Sequence, residues 1–214
     1  ASQNGNIDTV KVLIKAGGNV NQATTDDGRT PLWQASQEGY VDLMKVLIQE
    51  GGNVNQALTT DGVSALYIAS HQGNIDAVKV LIAAGSNVNQ ATTDGKTPLL
   101  LATKTGRVDI VKIIIEAGGD VNQVGDDGMP PLAKSCALGK IEIVRLLLQQ
   151  PAIDVNKNEE KWSPLYATEE TVLMLLDQCL MRQLFKKENL DEMHRIYMEI
   201  KQLLKDAGPQ SLDG

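Results

Sequence analysis

Apolar positions along the chain follow the period of amphipathic helices. Four segments are apolar on almost every side: VDLMKVLIQE, IDAVKVLIAA, VDIVKIIIEA and IEIVRLLLQQ. This pattern predicts helices buried between neighbours. A shorter segment precedes each one, and a helical arrangement of residues 31–39 places Leu32 and Ala35 on one side and Gln37 and Glu38 opposite. The chain is therefore predicted to be all-α, with repeated pairs of a half-buried and a fully buried helix.

Turn and capping residues frame each helix pair. An Asp-Gly pair opens each unit and suits a tight hairpin, because glycine accepts positive φ values. These pairs are Asp27-Gly28, Asp61-Gly62, Asp94-Gly95 and Asp127-Gly128. The first helix can be capped by Thr30, Ser64 or Thr97, and it ends near Gly39, Gly73, Gly106 or Gly139. The second helix is predicted to stop at Gly51, Gly85, Gly118 and Pro151.

The tetrapeptide Asn-Val-Asn-Gln returns between successive units. The second Asn of the motif marks the period, with steps of 34, 34, 33 and 34 residues along Asn21, Asn55, Asn89, Asn122 and the equivalent Asn156. A period of this length predicts stacked repeats. The Val can anchor the loop while the amides bond backbone groups that regular structure leaves unpaired. We interpret the motif as a bracket between units, and a binding role is the alternative.

The combined pattern resembles the ankyrin repeat family. It reads DG-x-TPL-x-x-A followed by G-x-V-D-x-V-K-x-LI-x-x-G-x-x-VN, and it covers residues 1 to about 165. The resemblance implies a curved solenoid in which each repeat is a β-hairpin and an antiparallel helix pair. The family usually has His after TPL, whereas this chain has Trp33, Tyr67, Leu100, Ala133 and Tyr166. We therefore expect the hydrogen bonds of that His to be lost and the packing there to be more apolar.

Two parts are expected along the chain. Residues 1–165 form a repeat domain with a partial first repeat, four full repeats and a degenerate last repeat. Residues 166–214 form a C-terminal helical hairpin that caps the solenoid, with an apolar stripe between Leu190 and Leu204. Ala1 aligns with Ala35, so the chain begins inside the first helix of a unit. We interpret this start as a fragment of a longer protein or a truncated cap.

Composition narrows the function classes. Twenty basic and 27 acidic side chains give a net charge of -7, and the basic residues are not segregated, which disfavours nucleic acid as a partner. The chain has no leader and no apolar run of about 18 residues, so we expect neither secretion nor membrane insertion. Cys136 and Cys179 lie in apolar contexts, which fits a reducing compartment. We expect a cytoplasmic, intracellular monomer.

Residues for catalysis, cofactor binding or metal binding do not assemble into a motif. Gly95-Lys96-Thr97 is similar to the end of a phosphate-binding loop, but Gln90 stands where that motif needs glycine. Segments that start like calcium loops at Asp120 and Asp154 lack the later ligands. The two histidines, His71 and His194, cannot form a His-rich cluster. We expect no catalytic, cofactor or metal site, and no enzyme activity.

A partner-binding surface is implied by the resemblance: the hairpin tips and the exposed side of the first helices. Carried over by position, it comprises Asp27, Arg29, Gln37, Glu38, Asp61, Val63, His71, Gln72, Asp94, Lys96, Lys104, Thr105, Asp127, Met129, Ala137 and Leu138. Aspartates crowd the tips, basic residues including Lys134 lie just inside, and apolar Val63, Ile68 and Leu101 are interspersed. This mixture favours an elongated peptide or a protein of mixed charge. For the aspartates, the alternative is that they only form the turns.

Three hypotheses about function follow. The first is a non-catalytic protein–protein interaction scaffold that binds a protein or peptide on the concave surface. The second, motivated by the start at Ala1, is a targeting or regulatory arm of a larger multidomain protein or enzyme. The third is self-association through the stripe from Leu190 to Leu204.

Overall fold

The computed structural model describes residue 2, residues 5–154 and six helical residues near the C-terminus, Arg195, Met198, Glu199, Gln202, Leu203 and Asp206. Within residues 5–154 it contains nine helices. They are α1 (Ile7–Lys15), α2 (Pro31–Glu38), α3 (Val41–Gln49), α4 (Ala65–Gln72), α5 (Ile75–Ala83), α6 (Pro98–Thr105), α7 (Val108–Glu116), α8 (Pro131–Ala137) and α9 (Ile141–Leu148). The predicted degenerate repeat beyond residue 154 and most of the predicted tail hairpin lie outside the described residues.

Side-chain caps start the first helix of a pair where the sequence predicts them. The backbone N–H three residues further on donates to Thr30 Oγ1 at 3.1 Å, to Ser64 Oγ at 3.2 Å and to Thr97 Oγ1 at 3.3 Å. Each hydroxyl satisfies an N–H that has no partner inside the helix. Helix α8 follows Pro130, which has no hydroxyl, and it lacks such a cap. The predicted ends of both helices in each pair are confirmed to within about two residues.

Tight turns open the repeats, and the expected β-hairpins are wrong in this detail. Among the described residues there is no regular strand, and one isolated antiparallel bridge joins Ala57 to Ser64. A backbone N–H closes each turn by donating across it: Thr24 to Arg29, Leu58 to Val63, Thr92 to Lys96 and Gly125 to Met129, at 3.0 to 3.3 Å. Three of the turns have a second backbone bond across them, from Gly62 N to Leu58 O, from Gly95 N to Thr92 O and from Gly128 N to Gly125 O. The residue after each closing bond lies at the start of the next helix, so the pairing does not extend into a regular strand.

Asparagine side chains bracket successive repeats, which confirms the interpretation of Asn-Val-Asn-Gln. Asn21 Nδ2 donates to Gly51 O at 3.0 Å, and Asn21 Oδ1 accepts from Asn53 N at 2.7 Å. Asn55 repeats the arrangement with Gly85 and Asn87, and Asn122 repeats it with Ala152 and Asp154. Each amide thus occupies a carbonyl near the end of a helix pair and an N–H in the next loop.

The chain divides into two compact units, and each has its own core. Unit 1 comprises Ala1–Ala102 and Asp109–Gly119, and unit 2 comprises Thr103–Val108 and Asp120–Gly214. In unit 1, α2 packs on α3 and α4, α4 packs on α5, and α3 packs on α1 and α5. Helices α2 and α4 can approach closely because each buries a small residue completely, Ala35 in α2 and Ala69 in α4.

Aliphatic side chains fill both cores. In unit 1, Leu32, Leu43, Leu47, Leu66 and Leu81 are each at most 1% exposed. Burial of such a side chain contributes about 1.5–3 kcal/mol relative to leaving it in water. In unit 2, α8 packs on α9 and the core is formed by Leu132, Cys136, Ile143, Val144 and Leu147. Glu199, from the helical residues near the C-terminus, makes an ion pair with Arg145 of α9.

Candidate partner-binding surface

Sixteen residues were expected to bind a partner, and none of them is buried. Nine are exposed: Arg29, Glu38, Asp61, His71, Gln72, Asp94, Lys104, Thr105 and Asp127. Seven are half-buried: Asp27, Gln37, Val63, Lys96, Met129, Ala137 and Leu138. These side chains are accessible to a partner, and their binding role stays a prediction.

Leu101, which the sequence predicts on the open side of the first helix, is buried. Leu101 is 9% exposed, whereas Ile68 at the equivalent position of the preceding repeat is half-buried. The reason lies in helix α6, where every residue from Pro98 to Thr103 is buried. Successive positions of a helix point about 100° apart, so this apolar run surrounds most of the helix and leaves only Lys104 and Thr105 exposed.

Within unit 1, two turns neutralise their own aspartate. Arg29 Nε lies 2.6 Å from Asp27 Oδ2, and the Arg29 guanidinium also stacks 5.2 Å from the centre of the Trp33 ring. Lys96 makes an ion pair with Asp94. The hydrogen bond from Lys96, followed by one from the Thr92 hydroxyl, lowers the pKa of the Asp94 carboxyl. These contacts hold the charged side chains of the first and third turns in place.

The turn between them differs because Val63 replaces the basic residue. Asp61 Oδ1 accepts a hydrogen bond from Val63 N at 3.1 Å. Within residues 5–154 and the described tail residues, Asp61 makes no ion pair. The middle turn of unit 1 therefore presents an uncompensated negative charge beside an apolar side chain.

In unit 2 the tip aspartate takes its cation from the following helix. Lys134 of α8 makes an ion pair with Asp127, and the side chain of Lys134 is only 15% exposed. Burial raises the pKa of the Asp127 carboxyl, but the hydrogen bond and charge of Lys134 outweigh this effect, so the pKa is lowered overall. The basic residue at this tip is thus bound within the unit.

Backbone hydrogen bonds join consecutive tips of unit 1. Thr59 N donates to Asp27 O at 3.0 Å, and Thr93 N donates to Asp61 O at 2.8 Å. The Thr93 hydroxyl donates to the same carbonyl at 3.1 Å. Because each tip is bonded to the next, the three turns form one fixed edge of unit 1 before any partner binds.

Trp33 makes a hydrogen bond between repeats, at the position where we expected the loss of the usual His to remove such bonds. Its ring is buried, and Nε1 donates to Val63 O in the next turn at 3.1 Å. The expectation that hydrogen bonding between repeats is lost at this position is therefore wrong for Trp33. The signal that sequence reasoning missed is the indole N–H itself, which usually finds an acceptor when a Trp is buried.

Other chemistry on the described residues is sparse. No group of three or more His, Cys, Asp and Glu side chains among them could hold a metal ion. No helix in that part of the chain is long and apolar enough to cross a bilayer. Cys136 is a free, buried cysteine, and burial raises the pKa of its thiol to about 12, so the sulfur stays protonated at neutral pH.

Comparison with known families agrees with this geometry. A family model described as ankyrin repeats (three copies) matches residues 1–92, 51–124 and 72–159. The overlapping matches run from residue 1 to residue 159 of 214 and include all the candidate binding residues. A search of curated proteins gave no match.

Proposed function

The chain belongs to the ankyrin repeat family, and from this premise we propose that it is a non-catalytic module that binds a protein or peptide through its turn tips and first helices. Ankyrin repeats are generally protein–protein interaction modules. The observation that supports the proposed surface is the two-sided character of the first helices in unit 1. One side of each helix is used by the core, and the other is open.

Helices α2 and α4 share three buried residue types and differ in the pair of residues at the end of their open side. Both bury a Leu, an Ala and a Ser at equivalent positions, Leu32, Ala35 and Ser36 in α2 and Leu66, Ala69 and Ser70 in α4. The open pair changes from Gln37 and Glu38 to His71 and Gln72. A common frame with varied exposed groups suits recognition of an extended partner, one repeat at a time.

The tips support the same surface because they are already ordered. Two of the three turns in unit 1 hold their charges in ion pairs, and each turn is hydrogen-bonded to the next. A preorganised surface loses less conformational entropy on binding, so more of the contact free energy appears as affinity. This edge carries both acidic and basic groups, which favours a peptide that also carries both charges.

We extend the proposal to location and to excluded partners. The net charge of -7 disfavours binding to nucleic acid or to an anionic membrane surface. The free buried thiol of Cys136 fits a reducing cytoplasm. A monomer is the simplest state for a module whose open side serves a different protein.

Selection of peptides from a random 12-residue display library tests the surface. The bound peptides are then measured by fluorescence anisotropy against a variant carrying Glu38→Lys, His71→Glu and Gln72→Glu, which leaves the net charge unchanged. We expect the affinity to fall about tenfold or more, because these side chains lie at the centre of the proposed surface. Thermal melting followed by circular dichroism checks that the variant is folded.

A matched control changes charges on the second helices. It exchanges the partners of two surface ion pairs, Asp42 with Lys45 in α3 and Asp76 with Lys79 in α5, again without altering net charge. We expect this control to bind the peptides as the native chain does. Loss of affinity in the control alone would place the surface on the wrong helices, and a chain that selects no peptide would overturn the proposed function.

A further inference from the structure

In three of the four Asp-Gly turns, the aspartate makes an ion pair with a basic side chain of the same chain. In unit 1, Asp27 is paired with Arg29 and Asp94 with Lys96, and each cation lies two residues after its aspartate. In unit 2, Asp127 is paired with Lys134, seven residues further on. The fold therefore offers two positions from which a basic side chain reaches the tip carboxylate.

Both positions are apolar in the turn of Asp61. Val63 occupies the place of Arg29 and Lys96, and Ile68 occupies the place of Lys134. Both side chains are half-buried, and Asp61 itself is exposed. Asp61 is thus an aspartate in the same turn type as its neighbours, but both internal sources of a cation are absent from its repeat.

The Asp61 carboxylate is also held in position. Its Oδ1 accepts from Val63 N at 3.1 Å, and its backbone carbonyl accepts from Thr93 N at 2.8 Å and Thr93 Oγ1 at 3.1 Å. Val63 supplies apolar surface next to the charge. A Lys or Arg side chain suits such a place, since its aliphatic stem packs on apolar atoms while its charged group bonds the carboxylate.

We propose that Asp61 is the anchor for a Lys or Arg side chain of the bound peptide, which takes the place that Arg29 and Lys96 occupy in the flanking turns. This inference rests on the proposed function and names one chemical requirement of the partner. The peptide carries at least one basic residue, and that residue contacts the middle turn of unit 1.

A double-mutant cycle on the selected peptides tests the anchor. Asp61→Asn removes the charge but keeps the oxygen that accepts from Val63 N, and each basic residue of the peptide is replaced by Gln in turn. We expect Asp61→Asn to raise the Kd about two- to fivefold at low salt, as for an exposed ion pair. One basic residue of the peptide should matter in the native chain and lose its effect in Asp61→Asn.

Two further variants separate a specific contact from general electrostatics. Asp76→Asn removes the same charge from α5 in the same repeat, outside the candidate surface, where Lys79 lies 4.0 Å from the carboxylate, and we expect no coupling to the peptide. Val63→Arg places a basic side chain where Arg29 stands in the first turn, so that it can pair with Asp61. We expect this variant to raise the Kd of the peptide by a similar factor, although Asp61 is still present. Thermal melting of all variants confirms that they are folded.

Peptides without Lys or Arg, a cycle in which no basic residue couples to Asp61, or equal losses for Asp61→Asn and Asp76→Asn would each overturn the anchor. In those cases peptide binding itself persists, and the proposed function stands. A chain that binds no peptide at all overturns both together.

Discussion

At the scale of single residues, asparagine is the side chain that suits the link between repeats. Asn21 donates to Gly51 O at 3.0 Å and accepts from Asn53 N at 2.7 Å, so one short amide serves a carbonyl and an N–H of the next loop. Aspartate lacks the donor, and glutamine adds a methylene that moves the amide outward. The residue type is therefore dictated by two backbone groups that would otherwise have only water as a partner.

Replacing Asn21 by Ala should lower the free energy of unfolding by about 1–3 kcal/mol, because two hydrogen bonds worth about 0.5–1.5 kcal/mol each are lost. Urea denaturation followed by circular dichroism measures the change. Gln22→Ala is the control, since the Gln22 amide donates to the adjacent Ala23 carbonyl at 3.2 Å and to no other group that the structure describes. Equal losses in the two variants would show that the bracket contributes nothing to stability.

The bracket could be predicted from sequence, but the link made by Trp33 could not. Asn-Val-Asn-Gln returns at a fixed period, and its amides are neither nucleophiles nor acid–base groups, so the sequence favours bonding to the backbone over a binding role. The bond from Trp33 Nε1 reaches Val63 O, thirty residues further along the chain. Predicting it requires the direction of a carbonyl in the next turn, and no local pattern gives that direction.

At the scale of the elements, each turn is built to lie against the next one. The helices could be predicted to within about two residues, because the apolar period and the Thr or Ser caps act locally. The strands of the expected hairpins were wrong, since the chain enters the next helix directly after the bonds that close each turn. The tip residues gain their order from neighbouring turns, as when Thr59 N donates to Asp27 O.

Gly28 and Gly51 have similar backbone conformations but different surroundings. Comparing Ala at the two positions therefore separates the free-energy cost of the backbone conformation from that of a steric contact. Gly28 has φ +82 and Gly51 has φ +87, a region in which Ala is disfavoured by about 1–2 kcal/mol. A Cβ at Gly51 meets nothing within 4 Å, whereas a Cβ at Gly28 lies 2.9 Å from Thr59 Cγ2 and 3.1 Å from Thr59 N. Ala at Gly28 therefore pushes on the hydrogen bond that joins two turns.

We expect Gly51→Ala to lower the free energy of unfolding by the conformational cost alone, and Gly28→Ala to lower it by roughly 1 kcal/mol more. Urea denaturation of the two variants, measured side by side, gives the difference. If the losses are the same, Thr59 moves aside without cost and the stacking of turns is not a source of stability.

At the scale of the whole molecule, the acidic composition is compatible with folding because several carboxylates are favoured in their charged form. The side-chain hydrogen bond from Thr24 lowers the pKa of Asp26, and Lys96 lowers that of Asp94. For Asp127, burial opposes the ionised form, but Lys134 outweighs it. The candidate surface could be assigned to the open side from the repeat pattern, but which aspartates are paired depends on side chains such as Val63 and Lys134 in their folded positions.

These lowered pKa values predict how stability depends on pH. A carboxyl with a lower pKa in the folded state than the unfolded value of about 3.9 stabilises the fold above that value. The contribution is lost as the pH falls through the folded pKa, so the free energy of unfolding should decrease between about pH 5 and pH 2. For Asp94, half-exposed at 49%, the ion pair with Lys96 contributes at most about 1 kcal/mol at pH 7.

The variant Asp94→Asn checks the sign. Asn keeps an acceptor for the Thr92 hydroxyl but cannot ionise, so at pH 7 the native chain should be the more stable of the two by up to about 1 kcal/mol. As the pH falls from about 4 towards 2 the two should converge, and 1 M salt should reduce the gap at pH 7 because the pair is exposed. Urea denaturation at closely spaced pH values measures both curves. Parallel curves would mean that folding does not favour the ionised form of Asp94, and the charge at the third tip would then be unconnected with the stability of the repeats.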